Sequence, residues 1–405
     1  MRSKLAALGL PGWLILMGTL TAIGPLSIDM YLPAFPAIAI GLAAHSSEVE
    51  RTLAAYLLGM ASAQLIYGPL ADRFGRKPPL YGALVLYILA SAGCALAPSV
   101  EFLTVCRVFQ AMGGAAGMVI PRAVVRDHYS TQDAARALSM LMLIMGTVPI
   151  LAPVLGASIL SWVGWRGIFI MITLCGIALL WTLSKVMVES LPPERQIKLS
   201  WGNILRTYGG LLRHRRFMAF ALSGGLASAT MFSYIVGSPR LFIEHFGVSP
   251  QTYGLLFGMN ATSLIIGSQV SVQLLKYYPP IKILPWALAC MVSAGLFALF
   301  SALAGFVTLV SIMGCMLVFM FCYGFVAPNS AALALSDQGH QLGSASAMMG
   351  TLSISCGALA GLLISLMTIP GPLPLALMMA GCTVLACIMG ALARHSRPSV
   401  VPQFD

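Results

Sequence analysis

Two charged residues inside long apolar stretches are the first candidates for chemistry in this sequence. Asp29 follows an apolar run that begins at Gly12 and holds no other charge, and Arg107 lies within a second apolar run. Burying either charge in hydrocarbon is costly unless it is paired, neutralised or in contact with water. We therefore predict a proton-binding carboxylate whose affinity for protons depends on the arginine. The alternative is that Asp29 only marks the outer end of a helix, where water reaches it.

Asp29 and Arg107 are also predicted to lie at a similar depth. Each is about six or seven residues from the outer end of its predicted membrane span, or roughly 10 Å at 1.5 Å per residue. We expect both in the same half of the protein, where Arg107 acts on Asp29 directly, through Gln110 or through water. A static structural ion pair is the alternative.

The composition is that of a polytopic membrane protein. Of its 405 residues, 59% are hydrophobic and only 9% are charged, against roughly 25% charged in soluble proteins. The longest polar segment, 189–216, leaves no room for a catalytic domain outside the membrane, so we do not expect an enzyme. The six histidines and nine cysteines show no metal-ligand spacing, and no nucleotide-binding P-loop motif occurs. We predict no metal and no cofactor, with protons as the coupling ion.

Hydrophobic runs broken by short polar loops predict twelve spanning helices, each near the ~20 residues needed to cross a bilayer. The predicted spans are 12–35, 53–70, 79–97, 102–124, 137–161, 166–188, 217–238, 252–275, 283–304, 306–328, 343–367 and 374–393. Nineteen of the 23 lysines and arginines fall on one side. The positive-inside rule makes that side cytoplasmic and places both termini there. This pattern accounts for the net charge of +11, so we predict no nucleic-acid partner.

The polar segment 189–216 divides the chain into two predicted halves of six spans, 1–188 and 217–405. Apolar residues recur in it at helical spacing, which predicts a short helix on the cytoplasmic membrane face. Two six-span halves joined by one linker are typical of transporters built from repeats, with the substrate bound near the midplane between the repeats. The predicted fold is therefore an all-α membrane protein that works by alternating access.

The turn after span two has a distinctive sequence, GPLADRFGRKPPL. A turn this short needs the backbone freedom of Gly75, and Gly68 would let span two approach a neighbouring helix closely. Asp72 is expected near the start of span three, where the helix dipole favours an anion. Arg73 and Arg76 can pair with that acid or bind lipid phosphates.

This turn closely resembles motif A of the major facilitator superfamily, G-x-L-A-D-R-x-G-R-K. The segments SIDMYLPAFP, QLIYGPLADRFGRKP, RDHYS, LAPVLG and IEHFGVSP resemble the Bcr/CflA subfamily, within the drug–proton antiporter group that has twelve spans. The resemblance covers essentially the whole chain. It implies proton-driven export of small drugs, of the bicyclomycin and chloramphenicol type, across a bacterial inner membrane.

Two further segments are similar to motifs of that superfamily. Arg107 and Gln110 share one helix face in a segment similar to motif B, whose arginine is linked to proton coupling. The resemblance implies that Asp29 alternates between a proton and the substrate. Span five resembles the antiporter motif C, represented here by Gly146, Pro153 and Gly156, although Ala152 precedes the proline where the common form has glycine. The resemblance implies that these three residues and the motif A turn form a conformational switch.

Buried polar and aromatic residues are the candidates for substrate contacts. Aromatic residues at helical spacing are more often packing residues, whereas ligand cavities are lined mainly by apolar and aromatic side chains with a few polar groups. The predicted substrate-binding residues are Asp29, Tyr31, Tyr56, Gln64, Arg107, Gln110, Phe232, Tyr234 and Asn260.

Two other functions are compatible with the same residues. A proton symporter that imports a metabolite would share the fold and the acid, with the opposite direction of transport. A membrane receptor or scaffold without transport would not need Asp29, and the lack of a soluble output domain argues against it. We expect a monomer whose partners are small-molecule drugs, protons and membrane lipids.

Overall fold

The computed structural model describes residues 12–129, 131–192, 194, 196, 201–338, 342–367 and 369–395. Within these residues, twelve helical segments are long and apolar enough to cross a membrane. The prediction of an all-α protein with twelve spans is confirmed. The cytoplasmic location of the termini stays a prediction, because the first eleven residues and the last ten lie outside the described part of the chain.

The helices are numbered here in chain order. They are α1 (Gly12–Asp29), α2 (Phe35–Gly41), α3 (Ser46–Phe74), α4 (Lys77–Ala95), α5 (Val100–His128), α6 (Thr131–Val163), α7 (Trp165–Val186), α8 (Trp201–Arg213), α9 (Arg215–Pro239), α10 (Pro250–Leu274), α11 (Pro280–Leu303), α12 (Leu309–Leu335), α13 (Leu342–Leu366) and α14 (Leu373–His395). The first span consists of α1 and α2, and α8 is the short helix predicted in the linker. A π-helical segment, Arg240–His245, extends α9.

The chain forms two compact units. One comprises Met1–Leu199 together with Ser249–Gly258, and the other comprises Ser200–Val248 together with Met259–Asp405. The start of α10 thus belongs to the first unit, although it follows α9 in sequence. The predicted halves, 1–188 and 217–405, stay a prediction.

The first span is interrupted immediately after Asp29. A short 3₁₀ turn, Leu32–Ala34, replaces the α-helix, and the amide of Ala34 donates to the carbonyl of Tyr31 at 3.1 Å. Pro33 explains the break, because proline lacks an N–H donor and disfavours the α conformation in the residue before it. Asp29 is therefore the last residue of α1.

Close backbone contacts hold α1 between α5 and α6. A Cβ atom on Gly117 of α5 would overlap the carbonyl oxygen of Leu20, and one on Gly156 of α6 would overlap the carbonyl oxygen of Met30. Helices in a membrane have no hydrophobic driving force toward one another, so small residues that allow close packing are decisive. These two glycines position the segment that carries Asp29.

The second unit repeats the helix pairs of the first. In the first unit α1 packs on α5 and α6, and α4 packs on α5 and α7. In the second unit α9 packs on α12 and α13, and α11 packs on α12 and α14. Here too glycines allow close approach, since a Cβ on Gly267 would overlap the carbonyl oxygen of Phe321. The repeated pairs are what a transporter built from two related repeats requires.

Candidate functional site

Arg107 is the centre of a buried polar cluster in the first unit. Its side chain is fully buried, and its Nη1 donates to the carbonyl of Ser27 at 3.0 Å and to Oε1 of Gln110 at 2.7 Å. Gln110 is held in turn, because its Nε2 donates to Oγ of Ser91 at 2.8 Å. The predicted pair on α5 is therefore tied to both α1 and α4.

Two tyrosines flank the guanidinium. Its central carbon lies 4.4 Å from the ring centroid of Tyr31 and 4.2 Å from that of Tyr56. Both hydroxyls are engaged, since Tyr31 hydrogen-bonds Thr52 at 2.7 Å and Tyr56 donates to the carbonyl of Gly24 at 3.2 Å. Cation–π contacts of a desolvated arginine are worth about 2 kcal/mol. The aromatic faces therefore hold the arginine in place.

Asp29 lies next to this cluster without pairing with Arg107. The carboxylate residue is only 4% exposed. Arg107 contacts the residues two positions before and two positions after it, Ser27 and Tyr31. Among the described residues, none forms an ion pair with Asp29 or donates a hydrogen bond to it. The static ion pair considered from the sequence is therefore not formed.

The arginine also keeps unused hydrogen-bonding capacity. No described residue accepts a hydrogen bond from Nε or Nη2 of Arg107, and both atoms are buried. Buried donors normally have partners, so such atoms call for an explanation. Two open donors beside a buried acid make this cluster suitable for binding an oxygen-bearing ligand.

Gln64 lies apart from the Arg107 cluster. It follows Tyr56 by eight residues on α3, or about 12 Å along the helix. Its Nε2 reaches the sulfur of Met118 at 3.9 Å. Gln64 thus bridges α3 and α5 nearer to the predicted cytoplasmic side.

The second unit has its own polar contacts. Nδ2 of Asn260 donates to the hydroxyl of Tyr234 at 2.9 Å, and both residues are buried. Phe232 is half-buried, and its ring packs directly on the backbone of Gly357 in α13. The structure therefore joins Tyr234 and Asn260 but gives Phe232 a packing contact.

Sequence reasoning missed a chain of hydroxyls in the second unit. Oγ of Ser353 donates to Oγ of Ser228 at 2.6 Å, and Ser228 hydrogen-bonds the hydroxyl of Tyr323 at 2.8 Å. This chain links α9, α12 and α13. Serine is common in membrane helices, so the sequence offers no signal that would single out these two.

The turn between α3 and α4 contains a charged network. Arg76 pairs with Asp72 at 2.5 Å and with Asp127 of α5 at 2.9 Å. Burial alone would lower the pKa of Arg76. Its hydrogen bonds to Asp127 and Asp72 outweigh that effect, so the pKa of Arg76 is raised. Gly75 has φ +86°, as the prediction for this turn requires. The network ties the turn to the end of α5.

The acid at the start of α4 is Glu189, and not Asp72 as predicted from the sequence. Asp72 lies in the last turn of α3, whereas Glu189 accepts from the amides of Arg76 at 2.8 Å and Lys77 at 2.9 Å. Partial burial alone would raise the pKa of Glu189, but four backbone N–H donors lower it below its ordinary value. The residue that follows, Ser190, donates to Asp127 at 2.9 Å.

Two other predictions for this turn need correction or detail. Among the described residues, no atom comes within 4 Å of where a Cβ on Gly68 would stand, so Gly68 does not serve close helix packing. Arg73 forms no ion pair with a described residue and lies 5.1 Å from the ring of Phe74. Of these two arginines, Arg76 is the one that joins the charged network of the described residues.

The motif C residues lie in α6 near the break in the first span. Gly146 and Pro153 are inside the helix, and Gly156 contacts the backbone of Met30, the residue after Asp29. Gly254 at the start of α10 packs on the backbone of Pro153 within the same unit. The motif therefore contacts both the Asp29 segment and α10.

A buried acid that the sequence did not reveal lies at the start of span two. The helix begins at Ser46 and not near residue 53, because the carboxylate of Glu48 accepts from the amide of His45 at 2.8 Å and caps it. Glu50, in the first turns of this helix, is only 1% exposed. The sequence of this segment resembles a polar loop, because it has three charges within four residues, 48–51. The cap is the feature that makes it helical.

Comparisons with known proteins place the chain among transporters. The family model for the Major Facilitator Superfamily matches residues 17–362. "Uncharacterized MFS-type transporter YdgK" of Bacillus subtilis is 34% identical over 354 residues, covering 87% of this chain and 88% of that protein. The "Bicyclomycin resistance protein homolog" of Haemophilus influenzae is 26% identical, covering 93% and 94%. The "Chloramphenicol resistance protein" of Pseudomonas aeruginosa is 29% identical, covering 87% and 84%.

Solved structures share the fold at low sequence identity. The nucleoside transporter NupG, crystallised as a mutant, gives a TM-score of 0.74 at 14% identity, covering 94% of this chain and 98% of that chain. The xylose transporter XylE from E. coli gives a TM-score of 0.70 at 13% identity, covering 93% and 97%. At these identities the likeness concerns the fold alone.

Proposed function

Because the chain belongs to the Major Facilitator Superfamily, we propose that it is a proton-driven exporter of small drugs, with bicyclomycin- and chloramphenicol-type molecules as substrates. It is a multi-pass protein of the bacterial inner membrane. The observation that carries the proposal is the buried acid Asp29 beside Arg107, which is fixed by other partners and keeps two free donors. The names of the resistance proteins among its relatives support these substrate classes.

Asp29 is the group that binds either a proton or the drug, and it exchanges one for the other. An ionised carboxylate is costly to bury without a cation, so a proton or a polar or cationic drug at this position relieves that cost. Arg107 stays in place through Ser27, Gln110 and the two tyrosines, and its free donors bind an oxygen of the drug. Drug and proton then compete for one site.

The predicted substrate-binding residues of the second unit are uncharged. Asn260 and Tyr234 provide an amide and a hydroxyl that are already hydrogen-bonded to each other. A neutral pair of this kind orients a ligand without binding a proton. Drug selectivity is therefore assigned to the second unit and proton coupling to the first.

The turn between α3 and α4 acts as the conformational switch. Arg76, its two acids and the Glu189 cap must rearrange if α3, α4 and α5 move against one another. Transport needs two states that differ in affinity for drug and proton. The charged network stabilises one of these states.

Proton release on drug binding tests the proposal. Purified protein in weakly buffered detergent, with a pH-sensitive dye, receives chloramphenicol or bicyclomycin. We expect wild type to release protons, and Asp29→Asn to bind drug without release. Glu101→Gln, which removes an exposed acid from the start of α5, is the matched control and should behave as wild type.

Two results would overturn the proposal. Proton release by Asp29→Asn equal to that of wild type would remove the acid from the mechanism. Proton uptake on binding in wild type would favour the symporter, and import assays in proteoliposomes would then establish its direction.

A further inference from the structure

A groove in the second unit lies between α10, α11 and α12. It has a volume of about 530 Å³, and its lining includes Leu274, Tyr278, Lys282, Trp286, Cys290 and Phe325. The lining is mainly apolar. The amine of Lys282 and the hydroxyl of Tyr278 are at the end where α11 begins, which is the predicted cytoplasmic side.

The groove opens away from the helix bundle of its unit. Trp286 is 78% exposed and Tyr278 is 54% exposed, whereas Leu284 and Leu288 on the other face of α11 are buried. Through that buried face α11 packs against α12 and α14. Since α11 is apolar enough to span a membrane, the exposed aromatic side chains lie where lipid surrounds the protein. Tryptophan and tyrosine are typical of the membrane interface.

The depth of the groove matches one leaflet. Lys282 is near the start of α11 and Cys290 is eight residues further on, or about 12 Å along the helix. The hydrocarbon of one leaflet is about 15 Å thick. A lipid acyl chain therefore fits along the groove with its headgroup at Lys282.

No described residue provides an acidic partner for the charge at the mouth of the groove. The sequence contains no Asp or Glu between Glu244 and Asp337. In the described part of the chain, neither Lys276 nor Lys282 forms an ion pair. The corresponding turn of the first unit differs, because there Arg76 is neutralised by two aspartates of the protein.

The geometry points to a binding site for one acidic phospholipid of the cytoplasmic leaflet. Its phosphate pairs with the amine of Lys282, and the hydroxyl of Tyr278 lies beside the headgroup. One acyl chain lies against Trp286 and Phe325. The lipid supplies to this turn the negative charge that Asp72 and Asp127 supply in the first unit.

Quenching of Trp286 fluorescence by brominated lipid tests this site. Wild type and Trp286→Phe are reconstituted into phosphatidylcholine vesicles that contain either brominated phosphatidylglycerol or brominated phosphatidylcholine. The difference between the two proteins reports Trp286 alone. We expect brominated phosphatidylglycerol to reach half-maximal quenching at a fraction of the total lipid about fivefold lower than brominated phosphatidylcholine requires. One lysine contributes about 1 kcal/mol to binding of an acidic lipid, which corresponds to this ratio.

Two charge variants decide whether Lys282 is responsible. Lys282→Gln should abolish the preference for the acidic lipid. Lys185→Gln, which removes an exposed lysine from the end of α7 outside the groove, should keep it. Equal quenching by both lipids in wild type would overturn the proposal. So would a preference that survives Lys282→Gln, or one that Lys185→Gln removes as well.

Discussion

The two units pair equivalent helices but differ in what they bury. The buried charged residues Asp29, Glu50, Arg76 and Arg107 all belong to the first unit. Among the described residues, the buried polar residues of the second unit are uncharged, with Asn260 and Asn329 among them. A shared backbone arrangement therefore does not require shared chemistry. One repeat can hold the charges that respond to protons, while the other varies its neutral contacts.

The largest expected effect comes from removing the buried cation of the first unit. A hydrogen bond from a charged donor to the drug is worth about 1.5–3 kcal/mol, so Arg107→Leu should lower drug-dependent proton flux in proteoliposomes by about 10- to 100-fold. Arg107→Lys keeps the charge but loses the flat stacking on Tyr31 and Tyr56, and should retain part of the flux. Normal proton flux in Arg107→Leu would show that the buried charges of the first unit are not what distinguishes its function from that of the second.

Close helix packing should matter equally in both units. Gly156→Val and Gly267→Val each place a side chain against a backbone carbonyl, at a cost of about 1–3 kcal/mol from overpacking. We expect both to lower the Tm of the purified protein by similar amounts. Gly82→Val is the matched control, because no atom of the described residues lies within 4 Å of its Cβ position. A large loss in only one unit would show that the two repeats are not packed alike.

A smaller effect is expected for the neutral contacts of the second unit. Asn260→Leu removes the amide that we propose as a contact for the drug, and a hydrogen bond of this kind contributes about 1 kcal/mol. Drug affinity should fall roughly fivefold, while the number of protons released per bound drug stays the same. Titration calorimetry together with the dye assay measures both quantities. A changed proton number would place coupling in the second unit as well.

The smallest effect concerns the cap on α4. The pKa of Glu189 is lowered in the folded protein. The ionised carboxylate therefore stabilises the fold at neutral pH, and this contribution is lost as the pH falls through the folded-state pKa. Glu189→Gln should lower the Tm slightly at pH 7 and leave it unchanged in strong acid. The measurement is a thermal melt of both proteins between pH 3 and pH 7. A constant difference across that range would contradict the electrostatic role.

The sequence reveals the parts of this protein that depend on burial in lipid. Twelve spans and the neighbourhood of Asp29 and Arg107 follow from hydropathy and helix geometry alone. The cap at Glu189 does not, because it joins residues 112 positions apart in a segment that reads as a linker. Glu50 was missed for the opposite reason, since a local cap extends its helix through residues that look polar.

The separation of Asp29 from Arg107 has a consequence for rates. Arg107 is held by Ser27, Gln110 and two tyrosine rings, and no described hydrogen bond joins it to the acid. In the proposed cycle, a proton that arrives at or leaves Asp29 therefore breaks no side-chain contact of the arginine. The proposed exchange does not wait for the arginine to move, and its speed depends on how quickly water or drug reaches the carboxylate.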